Sequence, residues 1–441
     1  MKKFAVVSLG CAKNLVDSEI MLGQLVAAGW ELTQDFAEAE LILVNTCGFI
    51  ESAKRESIEH ILTMARYKQP GVGKCRKLVI AGCLVQRYAK ELVRDLPEVD
   101  YWVGLGEIGA VATKIEQESA DRTPALTAPF LNEINLPRYQ VTLPHTAYVK
   151  IAEGCNHRCS YCAIPLIKGS FRSRNPESIV WETIQLVQAG VKEVNLIAQD
   201  ITMYGHDLKP ASNLTELLRR IIAEAKPKWI RLLYAYPFAV DTKLLELIAG
   251  EPSICKYLDL PIQHINPRIL KLMNRPDSPE LLRSKLRLIR EIVPEIVLRT
   301  TFIVGFPTET EAEFGELVDF IKEFHFEHIG VFCYSREEQT DAYQLRPQIK
   351  KAVKARRRRI LLQAQQPIVQ QFLGSQVNRE LSVLVDRVSP EGLAVGRSQA
   401  FAPDVDGVIY LEGYQGQPGK LVRCRVTGQD GYNLRAEVLT D

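Results

Sequence analysis

Short apolar runs alternate with amphipathic segments through the first third of the chain. The apolar runs are rich in Val, Ile and Leu, and they predict strands at Phe4–Leu9, Leu41–Asn45 and Leu78–Ala81. Between them, apolar residues recur at helical spacing from Asp17 to Ala28 and from Glu51 to Tyr67. Strands and helices in alternation favour an α/β domain built on a doubly wound, Rossmann-like parallel sheet. We assign this domain to residues 1–118.

The same alternation resumes after a polar, proline-dotted stretch, which we interpret as a linker over residues 119–140. A strand from Thr146 to Ala152 opens the next domain, and five further strand-like runs follow it. They are Glu193–Ile197, Trp229–Tyr234, Tyr257–Leu260, Leu298–Val304 and His328–Tyr334. Repeated βα units of this kind can close or partly close into a barrel, with chemistry at the carboxyl ends of the strands. Residues 141–373 are assigned to this domain.

The pattern changes to short alternating strands with glycine-rich turns from Ser375 onward. The predicted strands are Leu381–Val385, Gly407–Tyr410, Leu421–Val426 and Leu434–Val438. This pattern is typical of a small β-barrel, which we assign to residues 374–441. From Ser375 on, carboxylates outnumber cations, and this favours a basic protein over RNA as the partner of the small domain.

A basic helix precedes the small domain. Seven lysines and arginines fall between Lys350 and Arg359, at the start of a helix that we expect Pro367 to kink and Gly374 to end. Such a charge run is usually a solvated helix face. Binding of RNA is the functional alternative.

Composition narrows the class of protein. The 441 residues suffice for about three domains, and a net charge of +2 argues against bulk binding of nucleic acid. The amino terminus imitates a lipoprotein signal, but its apolar run from Phe4 to Gly10 is short and Lys13 follows soon after Cys11. Ten cysteines without an export signal predict metal binding in a reducing compartment. We therefore expect a cytoplasmic location and no membrane contact.

Three thiols in a CxxxCxxC arrangement follow the first strand of the middle domain. They are Cys155, Cys159 and Cys162. Thiolates bind metals, and thiols in so short a loop can turn toward a single point. Three ligands leave one coordination position open. A zinc site with His157 as fourth ligand, or thiols without any metal, are the alternatives.

A second set of thiols emerges from the topology of the first domain. Cys11, Cys47 and Cys83 each stand beside a glycine at the end of a predicted strand, evenly spaced along the chain. Because the carboxyl ends of parallel strands share one edge, these thiols should meet there. Cys75 precedes its strand and should lie at the opposite edge. Small buried cysteines are the alternative, but three at equivalent strand ends favour a second metal cluster.

These motifs resemble known families. The CxxxCx-aromatic-C pattern, filled by Cys155, Cys159, Tyr161 and Cys162, resembles the radical S-adenosylmethionine superfamily. Together with the second trio on a Rossmann-like domain, it resembles the methylthiotransferase family. The runs from Leu9 to Glu19 and from Asn45 to Ile50 are similar to the branch that modifies ribosomal protein S-twelve, the RimO type. The transfer-RNA branch tends to show Tyr-Gly-Cys-Gln-Met-Asn at the first cysteine. The run from Gly396 to Gly407 resembles a TRAM domain.

The resemblance implies a six-unit partial barrel and two 4Fe-4S clusters. One cluster would be held by Cys155, Cys159 and Cys162, and an auxiliary cluster by Cys11, Cys47 and Cys83. S-adenosylmethionine would bind the open iron of the first cluster, with Tyr161, Gln199 and Gly305 as candidate cofactor-binding residues. The two open irons should face each other across one cavity.

The implied reaction is transfer of a methylthio group to the β-carbon of an aspartate in S-twelve. A radical derived from S-adenosylmethionine would remove the hydrogen, and the auxiliary cluster would carry the sulfur. The implied partners are S-twelve, met through the TRAM domain, and an electron donor such as a flavodoxin or ferredoxin. Two alternatives stay open: a methylthiotransferase acting on an adenosine beside the anticodon of transfer RNA, and a non-catalytic metal scaffold that binds the ribosome.

Other polar residues follow the barrel strands. The candidates are Gln199-Asp200, Tyr236-Pro237, Pro261 to His264, and Gly305 to Glu309. In related enzymes such positions hold S-adenosylmethionine or face the substrate, whereas loop capping is the alternative, which we favour for His264.

Further charged and thiol residues lie near the predicted site. Lys168, Arg172 and Arg174 form a basic strip that either balances the carboxylate of the cofactor or is merely solvated. Cys255, placed just ahead of a strand, and Cys333, placed within one, are predicted not to be ligands.

Overall fold

A computed structural model of the chain describes residues 2–117, 123–275 and 278–439. The first domain is a five-stranded parallel sheet flanked by helices. Its strands are β1 (Lys3–Ser8), β2 (Glu31–Leu32), β3 (Leu41–Thr46), β4 (Lys77–Gly82) and β5 (Tyr101–Val103). Its helices are α1 (Ala12–Ala27), α2 (Glu51–Ala65), α3 (Cys83–Asp95) and α4 (Val111–Glu116).

The strand order of this sheet is β2-β1-β3-β4-β5, and all neighbouring pairs are parallel. The three predicted strands are confirmed, while the two short outer strands were missed. In this order the chain turns to opposite sides after β1 and after β3. The crevice at the carboxyl ends of those two strands is the switch point where such sheets bind ligands.

Helix α1 begins at Ala12, so its predicted start at Asp17 was wrong. The polar residues Lys13, Asn14 and Asp17 concealed its first turns, because they interrupt the apolar pattern. All three are buried. They are covered by contacts with other parts of the chain, which a local pattern does not contain.

The middle domain is an open sheet of six parallel strands in sequential order. The strands of the large sheet are β6 (Thr146–Lys150), β9 (Glu193–Ile197), β10 (Trp229–Leu232), β11 (Ile254–Gln263), β12 (Val297–Val304) and β13 (His328–Cys333). Two short strands, β7 (Ala152–Glu153) and β8 (Arg172–Ser173), form a separate antiparallel pair. Neighbouring strands of the large sheet are parallel throughout. The six-unit partial barrel is confirmed. Cys255 lies inside β11, so its predicted place ahead of the strand was wrong.

Helices connect and cover the strands of this domain. They are α5 (Ile164–Lys168), α6 (Pro176–Gln188), α7 (Leu214–Glu224), α8 (Thr242–Gly250), α9 (Pro267–Leu272), α10 (Pro279–Ile292), α11 (Glu311–Phe324) and α12 (Lys351–Gln376). Asparagine, aspartate, serine or threonine side chains cap several of them, as Asn175 does for α6 and Thr310 for α11. A single large apolar cluster packs one face of these strands against the covering helices.

Helix α12 contains Pro367 and continues past Gly374, so the predicted end at Gly374 was wrong by two residues. Its basic start is not uniformly solvated. Arg357 is buried and forms an ion pair with Glu309 at 3.0 Å, and the ammonium of Lys354 donates to the carbonyl of Tyr334 at 2.7 Å. The remaining five cations of the run are exposed.

The third domain is a closed barrel of five strands in the order β14-β15-β16-β18-β17. The strands are β14 (Glu380–Val388), β15 (Ala394–Arg397), β16 (Ile409–Glu412), β17 (Leu421–Asp430) and β18 (Asn433–Val438). The small β-barrel is therefore confirmed, but β15 was missed. Its Arg397 is a polar residue that the structure buries between Asp386, at 2.7 Å, and Glu193, at 2.8 Å.

A loop of the third domain closes the amino-terminal end of the middle barrel. Asp406 in this loop pairs with Arg299 at 2.8 Å and accepts a hydrogen bond from Tyr257 at 2.7 Å. The carbonyl of Gln399 accepts from Arg231 at 2.8 Å. These contacts leave the opposite, carboxyl-terminal mouth of the barrel facing the first domain.

Residues 123–144, between the first sheet and β6, contain no helix or strand but pack against both domains. Arg138 is buried and pairs with Glu19 of α1 at 2.5 Å and with Glu182 of α6 at 2.8 Å. The predicted linker positions 119–122 lie outside the described residues, and the domain boundaries stay predictions. No helix in the described ranges is long and apolar enough to cross a bilayer.

Candidate active site

One cavity of about 490 Å³ lies between the first domain and the carboxyl-terminal mouth of the middle barrel. We call it the shared cavity. Both thiol trios line it: Cys11, Cys47 and Cys83 from the first domain, and Cys155, Cys159 and Cys162 from the barrel loop. Cys75 and Cys255 are buried elsewhere. The sequence argument from strand ends therefore correctly separated Cys75 from the other thiols of its domain.

The first trio converges because three loops at the switch point approach one another closely. Cys11 precedes α1, Cys47 follows β3, and Cys83 begins α3. Gly10 has a φ of 95°, and a Cβ atom at this position would lie 3.0 Å from the Cβ of Cys47. A glycine is thus required both by backbone conformation and by space.

Asn14 ties these three loops together. Its side-chain amide donates to the carbonyls of Leu9, at 3.1 Å, and Thr46, at 2.9 Å, while its oxygen lies 3.4 Å from the sulfur of Cys83. One buried amide thus contacts the segment before Cys11, the segment before Cys47 and the third thiol itself. Asn14 lies within the run from Leu9 to Glu19 that resembles the family, but its role is visible only in the structure.

The second trio occupies the loop between β7 and α5. The N–H of Cys155 donates to the carbonyl of Gly169 at 3.1 Å, and the N–H of Cys162 donates to that of Cys159 at 3.0 Å. The N–H of Ser160 donates to the carbonyl of Met273 at 2.9 Å. All three bonds stay within the middle domain, so the loop is held independently of the first domain.

His157 makes two contacts outside this trio. Its Nε2 lies 2.7 Å from a carboxylate oxygen of Asp200, and its ring stacks on Tyr236 with centroids 4.2 Å apart. The other oxygen of Asp200 accepts the N–H of Thr202 at 2.9 Å. Asp200 and Tyr236 therefore fix the orientation of the His157 ring.

The chemistry of the donors fits iron-sulfur clusters. Burial raises the pKa of Cys83 and of Cys162 to about 12 and that of Cys155 to about 11. These thiols therefore hold their protons at neutral pH unless a metal displaces them. All ten cysteines are free. Within the described ranges, no three Cys, His, Asp or Glu side chains form the compact set that a single ion needs. An all-sulfur donor set is the one that clusters use.

A buried network of charges supports the wall between the two trios. Lys150 pairs with Asp17 at 2.6 Å and with Glu153 at 2.8 Å, and Lys168 lies 3.3 Å from Glu153 and 3.6 Å from Asp17. Burial opposes the charge of Glu153, but the two lysines outweigh it and lower the pKa of this carboxyl. The network joins the first domain to the barrel.

The predicted basic strip is not a single feature. Of its members, Lys168 lines the shared cavity. Arg174 is buried in an ion pair with Glu182, and Arg172 donates to the carbonyl of Pro129. The two arginines therefore match neither prediction, because their guanidinium groups bind other residues of the chain instead of solvent or the cofactor.

The candidate cofactor residues separate into two groups. Tyr161 and Gln199 line the shared cavity, as do Asp200, Tyr236 and Gln263. Gly305 does not line it; its φ is 70°, and a Cβ atom there would collide with the side chain of Lys354 in α12. Cys333, by contrast, lines the cavity from the end of β13. The sequence analysis placed Cys333 within a strand, whereas it is the last residue of β13 and so reaches the mouth of the barrel.

Glu337 is a cavity residue that sequence reasoning missed, and it fastens the first domain to the barrel. Only 1% of it is exposed. Its carboxylate accepts from Arg87 of α3 at 3.0 Å and lies 3.2 Å from the ammonium of Lys54. Arg87 also donates to the carbonyl of Gly48 at 3.0 Å. The contact therefore links the loop of Cys47 to the segment that follows β13.

Replacing Arg87 by alanine is expected to destabilise the protein by about 2 kcal/mol, because the buried carboxylate of Glu337 loses one of its two cationic partners and keeps only Lys54. The matched control is Arg94→Ala, in the same helix. Arg94 pairs with Asp95, and both side chains are mostly exposed, so its loss should cost about 0.5 kcal/mol or less. Chemical unfolding of both variants checks the difference. Equal stabilities would show that the Arg87 contact does not hold the domains together.

His264 is a buried capping residue and not a cavity residue, as expected. Its Nδ1 accepts the N–H of Asn266 at 3.0 Å, and Nε2 has no hydrogen-bond partner among the described residues. Burial lowers the pKa of His264 to about 3 from an ordinary value of 6.5. Below about pH 6.5, His264 is therefore protonated in the unfolded chain but stays neutral in the folded chain. The free energy of unfolding falls as the pH decreases through this value.

Between pH 7 and pH 5, we expect His264 to remove about 2 kcal/mol from the free energy of unfolding. The variant His264→Asn keeps an acceptor for Asn266 but has no titrating ring. Urea unfolding at both pH values should show a smaller pH dependence for the variant than for the wild type. Identical slopes would mean that the ring is protonated in the folded protein.

Three protein families match successive parts of the chain. They are an uncharacterized protein family, UPF0004, over residues 3–104, the radical SAM superfamily over residues 149–321, and the TRAM domain over residues 377–439. Among solved structures, the chain is similar to the radical S-adenosylmethionine methyltransferase TsrM from Kitasatospora setae. The TM-score is 0.57 at 19% identity, covering 78% of this chain and 77% of that one. A likeness at this identity describes the fold.

The fold and the matched families define a radical S-adenosylmethionine enzyme. Two curated relatives, from Geobacter sulfurreducens and Acetivibrio thermocellus, are each named ribosomal protein uS12 methylthiotransferase RimO. Each is 46% identical to this chain, with 100% of this chain and 99% of the relative covered. The chain belongs to the RimO family of methylthiotransferases.

Proposed function

We propose that this enzyme adds a methylthio group to the β-carbon of an aspartate in ribosomal protein uS12. The observation that carries the proposal is the meeting of two thiol trios, from separate domains, in one cavity. Full-length relatives named for this activity support the choice of uS12 over transfer RNA. We also infer a cytoplasmic enzyme, since a ribosomal protein is the substrate.

Six cysteines would hold the metal centres. The trio of the barrel loop would hold a 4Fe-4S cluster with S-adenosylmethionine, and the trio of the first domain a second 4Fe-4S cluster. When bound, these groups supply a carbon radical able to remove hydrogen from an unactivated C–H bond, together with the sulfur and methyl group that replace it.

The chain itself positions the groups and excludes water. Asn14 fixes the loops of the first trio, and the buried charges of Lys150, Glu153 and Asp17 fix the first domain against the barrel, which sets the separation of the two trios. Tyr161 and Gln199 line the cavity wall, and they would contact S-adenosylmethionine there. Apolar side chains complete that wall, among them Phe49, Ile50, Ile303 and Phe332. Exclusion of water protects a reactive radical from side reactions.

The substrate uS12 would dock on the TRAM domain. The exposed charges of the TRAM domain balance in the described residues: Arg379, Arg387, Lys420, Arg423, Arg425 and Arg435 against Glu380, Glu391, Asp404, Glu412, Asp430 and Glu437. The acidic excess is smaller on this surface than in the sequence, because Asp386 and Asp406 are held in ion pairs whereas Arg397 is the one buried cation, and Asp441 lies outside the described residues. Docking of uS12 on this domain therefore rests on the family.

Two further partners complete the proposal. The exposed cations of α12 are available to phosphates of ribosomal RNA near the target; they are Lys350, Lys351, Arg356, Arg358 and Arg359. A flavodoxin or ferredoxin type of protein would supply electrons to the cluster of the barrel loop.

A direct assay tests the proposed function. Anaerobically reconstituted enzyme, S-adenosylmethionine and a chemical reductant are incubated with either uS12 or unmodified transfer RNA, and each product is analysed by mass spectrometry. We expect the mass gain of one methylthio group on an aspartate of uS12 and none on the RNA. We also expect about eight irons per chain. Modification of RNA alone, or a preparation that binds only zinc, would overturn the proposal.

A further inference from the structure

Lys13 places a buried cation on the wall of the shared cavity. It lies in the first turn of α1, two residues after Cys11, and only 7% of it is exposed. Its ammonium donates to the carbonyl of Ala198 at 3.2 Å and sits 3.4 Å from the ring centroid of Tyr234. An ammonium has three donors, so these contacts leave donor capacity directed at the cavity.

No carboxylate of the described residues lies within ion-pair distance of this ammonium. Lys13 has no ion pair within 4.0 Å among the residues that the structure describes, whereas Lys168 on the same wall lies close to both Glu153 and Asp17. A buried charge without a counter-ion is costly, and proteins keep one where a ligand supplies the opposite charge. An anion in the cavity would supply it.

Tyr234, whose ring lies beneath Lys13, has an unusual backbone conformation. Tyr234 has a φ of 67°, a region that aromatic residues rarely occupy. Its N–H donates to a carboxylate oxygen of Asp259 at 3.2 Å, which helps to hold the conformation. The ring thus forms a fixed cation–π support that prevents Lys13 from folding away toward solvent. Strain of this kind gathers where a side chain must be aimed at a ligand.

We propose that Lys13 binds the side-chain carboxylate of the target aspartate, and so selects the residue that is modified. The inference rests on the proposed function, because it takes an aspartate as the substrate. The carbon that loses hydrogen is bonded directly to this carboxylate. Anchoring the carboxylate on Lys13, next to Cys11, therefore presents that carbon to the space between the two trios. Lys13 is a specificity-determining residue that contacts the substrate.

The experiment compares two targets on three enzymes. The targets are uS12 with its natural aspartate and uS12 with that residue changed to asparagine, which keeps the shape but removes the charge. The enzymes are the reconstituted wild type, Lys13→Met and Lys13→Arg. Lys271→Met, at an exposed position outside the cavity, is the matched control. Iron content of each preparation shows that the site has assembled.

In the wild type, the aspartate target should have a higher kcat/KM than the asparagine target. Lys13→Met should lower kcat/KM for the aspartate target by about 30-fold or more and leave the asparagine target nearly unchanged, so that discrimination disappears. Lys13→Arg should restore part of it, and Lys271→Met should behave as the wild type. Equilibrium binding of the two uS12 forms should lose the same preference, and this measurement does not depend on turnover.

A Lys13→Met enzyme that still prefers aspartate as strongly as the wild type would overturn the inference. In that case the ammonium serves the carboxylate of S-adenosylmethionine or the charge of a cluster, and both targets lose activity equally. Failure of the wild type to modify uS12 at all is a different result, because it removes the proposed function itself.

Discussion

Replacing Cys11 with alanine is expected to abolish methylthio transfer to uS12 while reductive cleavage of S-adenosylmethionine continues. Cys11 belongs to the trio of the first domain, and the loop of Cys155, Cys159 and Cys162 takes its backbone hydrogen bonds from the barrel alone. The loss of transfer should exceed the factor of about 100 that removal of a mere supporting residue causes at a metal site. Folding should be little affected, because Cys11 is exposed and caps nothing with its side chain.

The measurements are the mass of uS12, the yield of 5′-deoxyadenosine and the iron content, which should fall by about four per chain. Cys75→Ala is the matched control, since Cys75 belongs to the same domain but is buried away from the cavity. It should retain both activities and all of its iron. If a folded Cys11→Ala enzyme loses cleavage as well as transfer, the two trios do not have separate roles.

Replacing Cys159 with alanine should instead abolish both cleavage of S-adenosylmethionine and methylthio transfer. This thiol belongs to the loop that would bind the cofactor, and the first domain offers no sulfur to replace it there. Iron on the first trio should remain, because Asn14 and the strand ends that hold Cys11, Cys47 and Cys83 do not depend on the barrel loop. The same three assays, applied in parallel, separate this pattern from that of Cys11→Ala.

Cys333→Ala is the control for this second experiment. Cys333 lines the same cavity and is exposed, yet it stands at the end of β13, outside both trios. It should keep its full iron content and both activities. Loss of iron in Cys333→Ala, or residual cleavage in Cys159→Ala, would show that the assignment of thiols to the two centres is wrong.

The spacing and periodicity of the sequence were sufficient to predict the two groups of thiols. The barrel loop carries its trio within eight residues, so no knowledge of the fold was needed to group them. The trio of the first domain is scattered along the chain, but parallel strands bring their carboxyl ends to one edge, and the helical and strand periodicities predicted such strands. The same reasoning excluded Cys75. The sequence by itself thus determined three domains and six grouped thiols.

Only the tertiary structure decided which charged side chains are paired and which face the cavity. Lys168 and Arg174 looked alike in the sequence, yet one lies beside Glu153 and the other beside Glu182. Lys13 is left without a carboxylate, whereas Arg87 finds Glu337 from a distant part of the chain. Burial and pairing depend on contacts between residues far apart in sequence, whereas strand ends and short loops follow from local periodicity. That physical difference explains why the grouping of the two thiol trios was predictable from the sequence and the position of Lys13 on the cavity wall was not.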